Sequence, residues 1–89
     1  MLKISFRNQF KRELKKQKQR GKDPKKFLAI AERLANKEPL GPKHRNHQLK
    51  GNFAGRWECH IEPDWLLIYC LKDDEIIFER TGSHSDLFR

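Results

Sequence analysis

Cys59-His60-Ile61-Glu62-Pro63-Asp64-Trp65-Leu66-Leu67-Ile68-Tyr69 is the stretch that decides how this chain folds. Two runs of strand-forming residues meet at Glu62-Pro63-Asp64. Proline pushes the residue before it toward extended geometry and cannot donate to a ladder, so this tripeptide reads as a corner between strands. Working back from it, Arg56 to Glu62 alternates. Arg56, Glu58, His60 and Glu62 fall on one face, and Trp57, Cys59 and Ile61 on the other. Trp57 and Ile61 are therefore expected in the core, and His60 on the polar face. Working forward, Trp65 to Leu71 is nearly all apolar, as befits a central strand covered on both sides. Lys72-Asp73-Asp74-Glu75 is a polar turn, and Ile76-Ile77-Phe78 returns as the next strand. The corner also gathers an imidazole, a carboxylate and an indole expected to be exposed, a set able to handle protons and stack a base.

Upstream the periodicity changes. Leu2 to Ile4 is a short first strand, and Ser5 is placed to cap a helix. Phe6, Phe10 and Leu14 then recur every four residues, a narrow apolar stripe on a basic helix that Gly21 stops after Arg20. Asp23-Pro24 starts a second helix, with Asp as cap and Pro in the first turn. Phe27, Ile30, Ala31 and Leu34 line its buried side. A loop runs from Asn36 to His47, and Gln48 to Lys50 begins the sheet. The expected fold is a single α+β domain over residues 1–89. Two N-terminal helices (1–36, a basic hairpin) pack on a twisted antiparallel sheet of about four to five strands (47–89), which carries the functional residues.

The net charge of +8 is unevenly placed. Residues 1–26 carry eleven Lys and Arg against two acids, whereas residues 27–89 carry nine against ten. A cationic helical front on a nearly neutral sheet suits a polyphosphate partner, with strongly salt-dependent binding. Cys59 and Cys70 lie on adjacent predicted strands, and two cysteines are too few for a disulfide scaffold, so both are expected reduced. With no long apolar run, the chain is expected to be soluble, cytoplasmic and off the membrane. His44-x-x-His47 lacks further ligands to complete four-coordination, so neither a metal nor another cofactor is expected.

What remains is a constellation in the C-terminal half: His47, His60 and His84, the carboxylate of Asp64, the aromatics Trp65 and Phe88, and the cations Lys50, Arg56 and Arg80. With a two-residue turn at Asp73-Asp74, antiparallel pairing brings Gly82 back beside Trp65 and sets His84 near the Asp64 corner. Metal-free RNA cleavage calls for such a set. A base takes the proton of the ribose 2′-OH, an acid protonates the departing 5′-oxygen, and histidine suits both steps near neutral pH. Cations stabilise charge on the phosphoryl oxygens, and aromatics hold an unstacked base. From the residues alone, the chain is a basic α+β RNA-binding domain with a histidine-based nuclease as its sharper form.

The segment from Pro39 to Phe88 resembles the RelE superfamily of bacterial toxins, and within it the YafQ-type branch. The likeness is carried by His47-Gln48-Leu49-Lys50-Gly51, by Glu58 to Tyr69, and by Arg80-Thr81-Gly82-Ser83-His84-Ser85-Asp86-Leu87-Phe88. The helical front fits in layout and charge only. The resemblance implies the RelE-like microbial ribonuclease fold and a toxin of a type II toxin–antitoxin pair. Such a toxin enters the A site of the 70S ribosome, contacts ribosomal RNA, and cleaves mRNA there without metal, inhibiting translation. Its implied partner is an antitoxin of the ribbon-helix-helix type, through which alone it would meet operator DNA. The implied active site falls on His47, His60, Asp64, Trp65, His84 and Phe88. His84 is the expected general acid, and His60 with Asp64 the expected activators of the 2′-OH. His47 would bind phosphate or share proton transfer, and Trp65 and Phe88 would position the nucleotide. Where many relatives carry an arginine, this chain has Trp57, with Arg56 one place earlier, so Arg56 or Arg80 must supply that charge. Two rival readings are a ribosome-independent ribonuclease and a non-enzymatic RNA-binding translation inhibitor.

Overall fold

The expected corner is a tight turn at Pro63 and Asp64, across which Glu62 pairs with Trp65. The computed structural model describes residues 1–88. Its elements are β1 (Lys3–Phe6), α1 (Asn8–Gln19), α2 (Pro24–Ala35), β2 (His47–Gln48), β3 (Trp57–Glu62), β4 (Trp65–Lys72), β5 (Glu75–Gly82) and α3 (His84–Leu87). The sheet runs in the order β1-β5-β4-β3-β2. The α+β expectation is met, with one correction to its sheet. The pairs from β2 to β5 are antiparallel, but β1 lies parallel to β5, with Ile4 opposite Ile76. Parallel neighbours need a long crossover, and the two helices together with the rest of the sheet provide it. Among the described residues, no helix is long and apolar enough to cross a membrane.

That first strand also corrects the start of α1. Ser5 lies inside β1 and its hydroxyl bonds to the carboxylate of Glu75, so it caps nothing. Arg7 precedes the helix without a side-chain cap. Phe6 therefore belongs to the strand, yet it keeps its expected company. Its ring stacks on Phe10 at 5.7 Å and on Phe78 at 5.8 Å. The α2 start is as expected: the Asp23 carboxylate accepts from the Lys25 N–H at 3.0 Å, with Pro24 in the first turn. Gly21 takes φ +94° between the helices, a conformation that costs a side-chain-bearing residue far more.

Both helices cover one face of the sheet. Phe10, Phe27 and Phe78 form a ring cluster with centroids 5.1 to 5.8 Å apart. Ile30, Ala31, Leu34, Cys59, Trp65, Leu67 and Tyr69 complete this core. β4 is central and covered on both sides, as its unbroken apolar run requires. Leu66 and Ile68 face away from the helices, into a smaller cluster closed by Leu87 of α3, with Leu49, Phe53 and Phe88 around it. Cys59 and Cys70 are free thiols, and burial pushes the Cys59 thiol up to about 12, so it is inert at neutral pH.

Two features of β5 set the positions of Arg80 and α3. A bulge opposite Ile68 and Tyr69 leaves Glu79 without a partner in the ladder, so Gly82 pairs with Leu66. An unbulged hairpin would have set Gly82 beside Trp65. The slip turns Arg80 toward the Ile68 side of the sheet and moves the start of α3 by one step. Beyond Phe78, β1 has ended and the β5 edge is open. Glu13 of α1 covers it: its carboxylate accepts the Thr81 N–H at 3.2 Å and takes the Arg80 guanidinium at 2.8 Å. A helix side chain thus satisfies a backbone donor that a strand would otherwise have taken.

Candidate active site

On the sheet face opposite the helices, the register lines up side chains in rows across the strands. His47 on β2, Glu58 on β3, Ile68 on β4 and Arg80 on β5 make one row. His60, Leu66 and Gly82 make the next. After Gly82 a single residue, the cap Ser83, leads into α3, which settles Leu87 onto Leu66 and Ile68. His84, at the first position of α3, is exposed and lies with its ring 5.2 Å from that of Phe88. Phe88 in turn meets Phe53 edge-on at 5.6 Å. The structure therefore brings His47, His60, His84, Phe88, Arg56 and Arg80 to one open face, while Lys50 is exposed at the start of the Gly51–Phe53 turn beside it.

α3 has only four residues and cannot hold its geometry alone. It is anchored from three directions. Ser83 and Asp86 form a reciprocal capping box, with bonds of 2.8 and 3.1 Å. Arg20 at the end of α1 grips the Asp86 carboxylate at 2.7 Å, and the buried Gln17 amide lies 3.4 Å from it. The Arg20 guanidinium and the Ser83 N–H hold the Asp86 carboxyl well below the usual carboxylate range. From the β3–β4 corner, the Asp64 carboxylate accepts the His84 backbone N–H at 2.9 Å. Asp64 is thus next to His84, as the sequence implies, but through the main chain and not through the imidazole.

Trp65 is a correction. The sequence places its side chain in the open, available for stacking; it is fully buried on the helix side. Its Nε1–H donates to the Thr81 hydroxyl at 2.9 Å, and that hydroxyl donates to the Leu66 carbonyl at 2.7 Å. An indole whose one donor is satisfied inside the core is a scaffold residue. The alternation explains it: Trp65 shares its face with Leu67 and Tyr69. The aromatic that joins Phe88 on the open face is Phe53, in the Gly51–Phe53 turn. No periodicity marks it, because a short 3-10 turn has none.

Two of the three expected cations are already paired. Arg56 bonds Glu79, the bulged residue, and this contact raises its affinity for the proton further. Arg80 is held by both oxygens of Glu13, at 2.8 and 3.0 Å. Arg56, Arg80, Phe53 and Glu79 line one shallow cleft of about 410 Å³. Lys50 has no ion-pair partner among the described residues. His44 stands apart from these residues: its Nδ1–H donates to the His60 carbonyl at 2.7 Å and staples the loop to β3. Among the described residues no group of three His, Cys, Asp or Glu side chains is arranged to hold a metal ion.

Glu58 is a site residue that its sequence context does not single out, although the β3 alternation puts it on the His60 face. Its side chain is 8% exposed, and its Oε1 lies 3.5 Å from Nε2 of both His47 and His60.

Comparison with known proteins places the chain as a whole. The profile of the family described as YafQ, bacterial toxin of type II toxin–antitoxin system, matches residues 2–89. The mRNA interferase toxin YafQ of Escherichia coli (strain K12) is 38% identical over 86 residues, spanning 96% of this chain and 94% of that protein. A copper-bound mutant toxin from Helicobacter pylori superposes with a TM-score of 0.94 at 42% identity, covering 99% of this chain and all of that one. The toxin in the E. coli DinJ–YafQ toxin–antitoxin complex superposes with a TM-score of 0.90 at 37% identity, covering 99% of this chain and 98% of that one. Likeness over the whole chain, in sequence and in fold, means that the chain belongs to the YafQ family of type II toxin–antitoxin toxins.

Proposed function

We infer that this toxin is an endoribonuclease that cleaves mRNA in the ribosomal A site by metal-independent acid–base catalysis, and so halts translation. The observation that carries the reading is the grouping of His47, His60 and His84 with Phe53 and Phe88 on one open face. His60 or His47 takes the proton of the ribose 2′-OH. The 2′-oxygen attacks the adjacent phosphorus, and the bond to the 5′-oxygen breaks. His84 gives its proton to that leaving oxygen, so the product ends in a 2′,3′-cyclic phosphate. Proton transfers of this kind contribute about 10²- to 10⁴-fold each. Asp64 holds the His84 main chain in place, Phe88 and Phe53 grip the base, and Lys50 with Arg56 and Arg80 faces the phosphate.

The pairing of Arg56 with Glu79 and of Arg80 with Glu13 favours the ribosome-dependent form over a free ribonuclease. Neutralised cations give an isolated site little pull on naked RNA. Positioning then has to come from elsewhere, and α1 supplies it with exposed Lys11, Lys15, Lys16 and Lys18, which suit ribosomal RNA. The partner is a co-produced antitoxin of the ribbon-helix-helix type, in line with the DinJ complex of the E. coli relative, and the toxin meets DNA only through it. Its place of action is the cytoplasm.

Primer extension on an mRNA in a reconstituted translation reaction, with and without ribosomes, tests this. Codon-registered cuts that need the ribosome, persist in a chelator and vanish in His84→Ala are expected. Cuts on naked RNA would replace the reading with a free ribonuclease. Blocked translation without cuts would leave a binding inhibitor.

A further inference from the structure

Arg56 and Arg80 are tied to carboxylates, but two cations beside His60 are not. Lys43 and Arg45, on the loop before β2, line a cleft of about 330 Å³ with His60 and Pro63. Among the described residues no carboxylate borders that cleft, and neither cation has an ion-pair partner. Both side chains are exposed. Uncompensated positive charge next to a reacting histidine is a ready seat for an anion.

The loop is built to keep them there. β2 pairs with β3 only at Trp57 and Glu58, so beside His60 it is this loop that flanks the β3 edge. Both neighbours of Arg45 are tied inward. The His44 Nδ1–H donates to the His60 carbonyl at 2.7 Å, and the Tyr69 hydroxyl donates to the Asn46 side-chain oxygen at 2.6 Å. Arg45 itself takes a left-handed backbone, φ 44° and ψ 45°, which a residue with a side chain adopts only with strain. Its N–H donates to the Pro42 carbonyl at 3.1 Å, and its carbonyl accepts the His47 Nδ1–H at 2.6 Å. The guanidinium is therefore carried on a main chain pinned on every side.

The order of groups across the open face gives this cleft its place on the substrate. His84, at the head of α3, stands at the β5 end. Leu66 and His60 follow on β4 and β3, and Lys43 and Arg45 come next. An RNA strand laid along this line meets His84 with the leaving 5′-oxygen and His60 with the 2′-OH of the nucleotide before it. One step further upstream is that nucleotide's own 5′-phosphate. We propose that Lys43 and Arg45 form a phosphate subsite for the mRNA, holding the phosphate on the 5′ side of the nucleotide whose 2′-OH attacks. The proposal rests on the reading of this face as a cleavage centre. The arginine fork and the lysine ammonium bind a phosphate through charge-assisted hydrogen bonds. That phosphate keeps its charge throughout the reaction. Its contacts are equally strong in the ground and transition states, so they act on binding and not on the chemical step.

The test is ribosome-dependent cleavage kinetics on an mRNA carrying one uncharged methylphosphonate linkage. The linkage lies either on the 5′ side of the attacking nucleotide or one step further upstream. Wild type is compared with the double variant Lys43→Gln/Arg45→Gln, each checked by a melting curve. On unmodified mRNA the double variant should raise KM about tenfold or more with kcat within about twofold. The first methylphosphonate should do the same to wild type and add nothing to the loss in the variant, because both changes remove one contact. With the upstream methylphosphonate, the variant's deficit against wild type should persist in full. An unchanged KM in the variant, or a wild type indifferent to the first methylphosphonate, overturns the subsite. Losses that multiply also overturn it, and send the two cations to another phosphate, such as one of ribosomal RNA. A wild-type protein that cuts no unmodified mRNA would instead overturn the reading of the site itself.

Discussion

Under the helices, the sheet is filled with rings: Phe10, Phe27, Phe78, Trp65 and Tyr69, none more than about 1% exposed. On its other face, a thin patch of Leu66, Ile68 and Leu87 is surrounded by histidines, carboxylates and cations. The same strands build both faces, because successive side chains point opposite ways. One face makes the protein stable, and this lets the other remain shallow and charged. The open face keeps its order through specific anchors: the Asp86–Arg20 pair, the Asp64–His84 bond and the Glu13 carboxylate on the β5 edge.

If that division is real, substitutions on the two faces should separate stability from activity. Trp65→Ala should have the largest effect, a loss of about 3–5 kcal/mol in urea unfolding, since it empties a core site and removes the buried indole hydrogen bond to Thr81. An unchanged unfolding midpoint with weaker RNA binding would return Trp65 to the substrate and break the comparison. His84→Ala should do the reverse. Primer extension should show cleavage down about 100-fold or more, with unfolding free energy within about 0.5 kcal/mol of wild type.

Between these lies Gly82→Ala. A Cβ there would stand 2.9 Å from Asp86 Cβ, so α3 must shift. A stability loss of about 1–3 kcal/mol should accompany a fall in cleavage, because the shift carries His84 and Phe88 with it. Wild-type activity in a destabilised Gly82→Ala protein would show that α3 need not be held tightly.

The smallest effect is one of pH. The Asp86 carboxyl sits below its usual value through Arg20 and Ser83, so its anchoring is complete above the ordinary aspartate value of about 4 and fades as pH falls below it. The protection factors of α3 amides, exchange relative to an unstructured chain at the same pH, should fall on acidification before those of β4 do. In Asp86→Asn the α3 amides should be less protected at neutral pH and lose that pH response.

Much of the helix-covered face is legible in the sequence because its signals are local. Asp23-Pro24 fixes the start of α2, and Phe27, Ile30, Ala31 and Leu34 mark its buried side by spacing alone. The Pro63-Asp64 corner and the run of β4 are legible for the same reason. Ser5 misleads because a capping hydroxyl and a strand hydroxyl look alike until the neighbour is known. Trp65 misleads because its nearness to Asp64 in the chain hides the alternation that sends the two side chains apart.

The sequence by itself determined the α+β class, the central strand, the cationic front, and which histidines lie at strand ends and loops. Periodicity, turn chemistry and charge are properties of neighbouring residues, and they survive without coordinates. Tertiary structure alone decided the parallel seat of β1, the Glu79 bulge that resets the register of β5, the commitment of Arg56 and Arg80 to carboxylates, and the meeting of His47 and His60 over Glu58. Each depends on which distant strand or helix lies alongside, and long-range pairing leaves no periodic trace in the chain.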